Sequence, residues 1–191
     1  MRISFMGAGR VAHHLAHVLS QHHQIVQIYS RTLATAQTLA TQVKATATMN
    51  IEELNPEIDL VIIAVSDQAI ASVISNVHQQ LPNVLIVHTS GSTDIEVLAQ
   101  IHARAGVFYP LQTFSKTRKV NLSEVPFLLE SSNLKTRKIL SFLANSISTN
   151  VHFITSEKRK KIHLAAVYAN NFVNHLYSIS SDILKESKLP F

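Results

Sequence analysis

A glycine-rich segment near the N-terminus has the residue types and spacing of a phosphate-binding turn. Its residues are Gly7, Ala8, Gly9, Arg10, Val11 and Ala12. Gly7 permits a sharp bend after an apolar strand, Gly9 lets the backbone approach a pyrophosphate, and Ala12 is small enough for a helix to pack on that strand. The free N–H groups at the start of the helix then attract the anion. The segment predicts a dinucleotide site, and a purely structural glycine turn is the alternative.

The residues after the second predicted strand indicate which dinucleotide binds. NAD sites usually place an acidic residue about 20 positions after the turn, where it hydrogen-bonds the ribose 2′-hydroxyl. Here Ser30, Arg31 and Thr32 stand instead, and two hydroxyls around a guanidinium suit a 2′-phosphate. This pattern favours NADP over NAD. The alternative is that Ser30 or Thr32 caps the next helix while Arg31 is a solvated charge.

Polar residues also follow three later apolar runs, at the points where predicted strands end. Ligands of parallel sheets bind beyond these carboxyl ends, so we expect the residues to face one crevice. The candidate cofactor contacts are Val65, Ser66 and Asp67, and the candidate substrate contacts are Ser90, Gly91, Gln112 and Thr113. His88, at the end of the fifth strand, is a second candidate for proton transfer. Helix capping is the alternative for Asp67 and for Thr93.

A long helix near the C-terminus carries the leading catalytic candidates. At 100° per residue, His163, Val167, Asn171 and Asn174 fall on one face. Hydride transfer needs a proton donor beside the substrate carbonyl or imine, and imidazole exchanges protons near neutral pH. We therefore predict His163 as the acid or base, with Asn171 and Asn174 orienting the substrate. The alternative is an interface histidine, with asparagines bonding across helices.

The hydrophobic pattern predicts alternating strands and helices. We predict strands at residues 2–6, 25–29, 45–48, 60–65, 85–89, 106–109, 127–130 and 152–154. We predict helices at residues 10–21, 33–43, 68–80, 95–105, 134–146 and 156–187. Continuous apolar runs such as 60–65 are typical of a parallel sheet covered on both faces. The sequence therefore predicts an α/β fold with a doubly wound, mostly parallel Rossmann-like sheet.

The pattern also predicts two parts of unequal size. Residues 1–154 form the dinucleotide-binding domain, and residues 155–191 form the first long helix of a helical C-terminal domain. The helix has an apolar stripe, made of Ile162, Ala166, Ala169, Val173, Leu176, Ile179 and Ile183. Because soluble proteins seldom expose such a stripe, we expect a homodimer that buries this helix. The apolar ending Leu189, Pro190, Phe191 leads us to expect a truncated chain.

Composition argues against several other classes of protein. The chain has 191 residues, no Cys and a formal net charge of +5. No apolar run approaches the roughly 20 residues of a membrane span, and the start is a strand rather than a signal sequence. Without cysteines, disulfides and thiolate chemistry are excluded, and we expect a cytoplasmic protein without membrane partners.

The basic residues and the histidines suggest neither nucleic acid nor metal. The cations form short clusters at residues 116–119, 135–138 and 158–161 without an aromatic platform between them. The last cluster, at the start of the long helix, could bind a substrate carboxylate, and a solvated face is the alternative. His13 and His17 are four residues apart but lack the third protein ligand that catalytic zinc requires.

Several motifs together resemble a known bacterial family. They are the glycine turn, Ser30–Thr32, Ala64–Asp67, His88–Ser92, Tyr109–Ser115, His163–Val167 and Asn171–Leu176. Over the whole chain the sequence resembles the family that joins a Rossmann-like domain to the domain of unknown function 2520. That family is similar to pyrroline-5-carboxylate reductase and the 6-phosphogluconate dehydrogenase group. Some relatives have His where this chain has Tyr109, and relatives continue for several more helices.

The resemblance implies an NADP-dependent oxidoreductase with a helical C-terminal domain that commonly dimerises. Together with the polar crevice residues, it predicts hydride transfer between NADP(H) and a small carbonyl, hydroxy-acid or imine substrate. A non-catalytic NADP(H)-binding sensor or scaffold, whose helical part recognises a partner, is the alternative.

Overall fold

The computed structural model describes residues 1–115 and 120–190, and the basic cluster at 116–119 and Phe191 lie outside them. Within the described residues one sheet contains β1 (Arg2–Met6), β2 (Gln24–Tyr29), β3 (Thr46–Thr48), β4 (Leu60–Ile63), β5 (Leu85–His88), β6 (Ala105–Pro110), β7 (Phe127–Ser131) and β8 (Val151–Phe153). Their spatial order is β3-β2-β1-β4-β5-β6-β7-β8. The strands pair in parallel except that β7 is antiparallel to β6. The predicted α/β fold with a mostly parallel sheet is confirmed.

Helices cover both faces of this sheet. They are α1 (Arg10–Leu19), α2 (Leu33–Val43), α3 (Asp67–Gln80), α4 (Glu96–Ala99), α5 (Leu134–Asn145), α6 (Ser156–Ala166) and α7 (Val173–Glu186). Alternate strand residues face opposite layers, so Leu60 and Ile62 pack with α1, α2 and α5 while Val61 and Ile63 pack with α3 and α4. This double coverage explains why the central strands are apolar throughout.

The predicted helix at residues 95–105 is wrong for most of its length. Helix α4 ends at Ala99, and β6 already begins at Ala105. His102, which is buried, hydrogen-bonds the carbonyl of Val84 through Nε2 at 2.6 Å. This contact fixes the segment beside the sheet, so a tertiary hydrogen bond overrides the local helical pattern.

The long C-terminal helix is continuous from α6 to α7 but changes its winding in the middle. Residues Val167–Phe172 form a π-helical segment between the two α-helical parts. Thr155 caps the start, where its hydroxyl accepts a hydrogen bond from the Lys158 N–H. No helix in the described ranges is long and apolar enough to cross a membrane.

A buried arginine attaches this helix to the sheet. Arg159 is fully buried and pairs with the Glu130 carboxylate at the end of β7. Its Nη2 also donates to the Thr93 carbonyl at 2.6 Å and to the Ser156 hydroxyl at 2.9 Å. Ser156 in turn donates its backbone N–H to Glu130 at 2.9 Å. The helix, β7 and the loop after β5 therefore meet at one guanidinium.

The other cations of the 158–161 cluster do not form an anion site with Arg159. Lys160 pairs with Asp94 at 2.9 Å and Lys161 with Glu157 at 2.7 Å. Lys158 lines a separate small cavity beside Thr155, away from the crevice at the ends of β4 and β5. The hypothesis of a shared carboxylate site at the start of the helix is therefore not supported, because its members turn to different partners.

Candidate functional site

A cleft of about 810 Å³ lies beyond the carboxyl ends of the central strands and is closed on one side by the C-terminal helix. Strand ends, the loops after them and the first residues of α1 and α3 supply Gly9, Arg10, Val11, Ala64, Val65, Ser66, Asp67, Thr89, Ser90, Gly91, Tyr109, Leu111, Gln112 and Thr113. The helix supplies His163, Ala166, Val167, Asn170 and Asn171. Residues far apart in the sequence thus converge where ligands of open parallel sheets bind.

The glycine turn has the geometry that a phosphate cradle requires. Gly7 has φ +111°, and a Cβ there would lie 2.4 Å from the Ala64 carbonyl oxygen. Gly9 occupies the N-cap of α1 without a capping side chain, and a Cβ added to it would meet no atom within 4 Å. The first-turn N–H groups of α1 lack intrahelical acceptors. Open space over uncapped N–H donors fits a pyrophosphate.

The three residues predicted to select the nucleotide lie beside this turn. The Gly7 N–H donates to the Tyr29 carbonyl at 2.8 Å, which places the end of β2 next to the turn. Thr32 is the N-cap of α2, but its side chain makes no capping hydrogen bond. Arg31 is exposed and has no ion pair among the described residues. The helix-capping alternative for Thr32 is therefore not supported.

The floor of the cleft is a hydrogen-bonded group of short side chains. Ser92 donates its hydroxyl to the Asp67 carboxylate, while the Ser90 hydroxyl accepts the backbone N–H groups of Ser92 at 3.2 Å and Thr93 at 2.9 Å. Asp67 is the first residue of α3 and makes no capping bond, since Ser66 holds the N-cap position. These bonds fix the loop after β5, which carries Gly91.

His163 projects from α6 toward this loop. Its Nδ1 lies 2.8 Å from the Tyr109 hydroxyl at the end of β6, and the two rings meet edge to face at 5.7 Å. Burial, with a smaller contribution from the negative charge of Asp67, raises the pKa of Tyr109 to about 12. Tyr109 is therefore a neutral phenol at working pH. Sequence reasoning missed this partnership because it joins two elements 54 residues apart.

Two more cleft residues share a hydrogen bond between the long helix and the loop after β6. Asn170 donates from Nδ2 to the Thr113 hydroxyl at 2.6 Å and accepts from Asn174 Nδ2 at 3.1 Å. Asn170 escaped the sequence prediction, although a spacing of seven residues from His163 returns to the same helical face. Asn174 does not line the cleft. The i→i+5 winding of the π segment shifts the residues after it, so the straight α-helical prediction misplaces Asn174.

His88, the second catalytic candidate, is not brought to the cleft. It is fully buried, does not line the cavity, and its Nδ1 accepts the Ser90 N–H at 3.1 Å. Burial, and then the positive charge of Arg159, lower the pKa of His88 to about 3. A neutral imidazole beneath the loop can support Ser90 but does not reach a substrate in the cleft.

The described residues contain no group of three or more His, Cys, Asp or Glu side chains placed to hold a metal ion. The rings of His13 and His17, which the sequence analysis considered as metal ligands, lie 4.4 Å apart. His17 Nδ1 is engaged in a hydrogen bond with the His13 carbonyl at 2.8 Å.

Two family models match the chain. A Rossmann-like domain covers residues 1–113, and the domain of unknown function DUF2520 covers residues 125–191. Among solved structures, a Bacteroides fragilis protein to which NADP oxidoreductase activity is ascribed is 39% identical, with a TM-score of 0.94 over 99% of this chain and 74% of that one.

More distant structures share the fold. A Thermotoga maritima protein is 28% identical with a TM-score of 0.75, covering 99% of this chain and 71% of that one. A Plasmodium falciparum pyrroline carboxylate reductase, solved with NADP bound, is 19% identical with a TM-score of 0.69, covering 100% of this chain and 71% of that one. At that identity the likeness shows the fold alone. Comparison with curated proteins gave no match.

The burial of His88 predicts a pH dependence of stability. The pKa of His88 is about 3 in the folded chain against 6.5 for a free histidine, so between these values the unfolded state binds one more proton. The contribution of the neutral His88 ring to the free energy of unfolding is therefore complete above pH 6.5 and is lost as pH falls toward 3. His88→Asn, whose Oδ1 can accept the Ser90 N–H, should flatten the slope by up to about 1.4 kcal/mol per pH unit. Urea unfolding measured across this range tests the effect.

His152→Asn is the matched control, because this histidine is exposed in the folded chain. A slope for His88→Asn equal to that of the native chain would mean that His88 ionises alike in both states, contrary to its burial.

Proposed function

We propose, on the premise that this chain belongs to the family that joins a Rossmann-like domain to DUF2520, that it is an NADP-dependent oxidoreductase. Its substrate is a small carbonyl, hydroxy acid or imine. The observation that carries the proposal is that His163 lines the same cleft as Gly9 of the glycine turn. A phosphate cradle and a proton-exchanging side chain thus share one cavity.

The residues at the sheet edge fit an NADP molecule. The N–H groups after Gly9 would hold the pyrophosphate, and Ser30, Arg31 and Thr32 would hold the 2′-phosphate. Val65, Ser66 and Asp67 follow β4 and line the next part of the cleft. When bound, the cofactor supplies or accepts the hydride. The ascribed activity of the 39% identical Bacteroides protein agrees with this reading.

The helix and the loops after β5 and β6 would hold the substrate. His163 is half-buried, and no hydrogen bond to its Nε2 occurs within the described residues. That nitrogen can exchange a proton with a substrate oxygen or nitrogen as the hydride moves. Ser90, Gly91, Gln112 and Thr113 line the same cavity, and Asn171 offers an amide to orient the substrate.

A non-catalytic NADP(H)-binding sensor or scaffold is the second candidate, because the outer face of the C-terminal helix is available to a partner. Leu164, Tyr168, Phe172, Leu176 and Ile183 are each at least half exposed. In that case the cleft would bind the dinucleotide without turning over a carbonyl or imine, and the polar wall around His163 would have no chemical role.

We further propose that the chain forms a homodimer through this face. Concentration-dependent sedimentation should show a dimer, and Leu176→Glu should weaken it by placing a carboxylate in the buried surface. Lys138→Glu on α5 is the control for adding a surface carboxylate. A monomer at every concentration, with the same sedimentation coefficient in both variants, would contradict the proposal.

Nucleotide preference tests the cofactor assignment. We expect NADPH to bind at least tenfold more tightly than NADH, which corresponds to about 1.4 kcal/mol. Arg31→Ala should remove most of this preference because the guanidinium supplies the charge-assisted bonds to the 2′-phosphate. Calorimetry with both nucleotides measures it, and Lys138→Ala, which removes one distant positive charge, should leave it intact. Equal affinities in the native chain would exclude the NADP assignment.

Turnover in a His163 variant tests the enzymatic proposal. Once a panel of carbonyls and imines yields a substrate, His163→Ala should lower kcat by roughly 10²-fold or more, since acid–base catalysis supplies that much. NADPH affinity should not change, because the glycine turn lies elsewhere in the cleft. Melting temperature and cofactor affinity are measured in parallel, with His152→Ala as the control. A folded, cofactor-binding His163→Ala chain with native turnover would remove this histidine from the mechanism.

A further inference from the structure

The hydrogen bond between Tyr109 and His163 is the only one that the described residues make to the ring of this histidine. The Tyr109 Oη lies 2.8 Å from Nδ1, so it hydrogen-bonds this ring nitrogen and leaves the other, Nε2, without a partner among the described residues. Tyr109 itself is 9% exposed and packs with Ile95, Val107 and Leu128 in a small apolar cluster. The phenol is thus held by the sheet, whereas the imidazole is carried by the helix.

A phenol can satisfy Nδ1 in both protonation states of the imidazole. When the ring is neutral and can accept a proton at Nε2, its own proton lies on Nδ1, and Nδ1–H donates to the hydroxyl oxygen. When the ring is protonated, Nδ1–H donates to the hydroxyl oxygen. A carboxylate at this place would also accept from Nδ1–H, but its negative charge would favour the charged ring. Burial keeps the phenol itself protonated, since the pKa of Tyr109 is raised to about 12.

Gly91 leaves the space that this pair of rings occupies. A Cβ at residue 91 would lie 2.6 Å from both Cγ and Nδ1 of His163 and 2.8 Å from Cζ of Tyr109. The backbone of the loop after β5 therefore passes directly against the hydrogen bond. Even a methyl group would force the two rings to move.

We propose that Tyr109 is the positioning residue for His163: its hydroxyl holds Nδ1 so that Nε2 stays directed at the substrate region whether the ring is neutral or protonated. The inference rests on the proposed function in one respect, namely that His163 exchanges the proton. Tyr109 does not relay that proton, because its removal would leave a buried phenolate. It acts through the histidine by fixing ring orientation and tautomer.

The test combines histidine ring ¹⁵N NMR with steady-state kinetics on the whole chain. His163→Gln identifies the His163 signals. In the native chain the neutral ring should show one tautomer, protonated at Nδ1, and Tyr109→Phe should give a tautomer mixture because Nδ1–H has lost its acceptor. The same variant should lower kcat on the order of tenfold and leave KM and NADPH affinity unchanged. Gly91→Ala should disturb the same signals while both rings remain present.

Tyr177→Phe is the matched control, since this exposed tyrosine lies further along the same long helix and should change neither measurement. Unchanged His163 signals in Tyr109→Phe would overturn the proposal regardless of activity. The proposal would also be overturned if Tyr109→Phe changed the tautomer but kept the native kcat, while His163→Gln lost turnover. Native turnover in His163→Gln would instead defeat the proposed role of His163, while the NMR result still decides whether Tyr109 holds the ring.

Discussion

The burial of one arginine determines where the polar groups of the cleft lie. Arg159 joins β7 through Glu130, the loop after β5 through the Thr93 carbonyl, and its own helix through Ser156. Those segments, with the end of β6, carry most of the residues around His163. Removing a guanidinium from water is costly, and pairing recovers that cost only when the geometry is good. The interaction is therefore better understood as a device that specifies position than as a source of net stability.

The same guanidinium helps to distinguish two histidines that look alike in the sequence. His88 lies under the loop near Arg159, where burial and the positive charge lower its pKa to about 3. His163 stands four residues further along the helix than Arg159, half-exposed in the cleft beside a neutral phenol. Each begins a motif that the sequence analysis singled out, but only His163 lines the cavity. Environment, rather than residue type, decides which imidazole is available for chemistry.

Local patterns were sufficient to predict most of the fold and one end of the cleft. The glycine turn, the eight strands among the described residues and the long helix each depend on neighbours close in sequence. The helix predicted at 95–105 failed because His102 hydrogen-bonds the Val84 carbonyl, just before the neighbouring strand β5. Tyr109 and the role of Arg159 were missed for a related reason: each is defined by a contact over more than 50 residues. Asn170 could have been found from its spacing alone.

The C-terminal helix connects the cleft to the surface of the molecule. Its inner side presents His163 and Asn171 to the cavity. Leu164, the residue after His163, and Tyr168, three residues before Asn171, are exposed on the outer side. A helix moves as a rigid element over such short distances, so a displacement of the outer face also displaces the inner one. The π segment lies at this place, and π segments are frequent at functional sites. Arg159 anchors the first turn, and the hydrogen bonds of His163 with Tyr109 and of Asn170 with Thr113 attach the helix further along. The orientation of His163 in the cleft and the packing on the exposed apolar face are consequently coupled through the C-terminal helix.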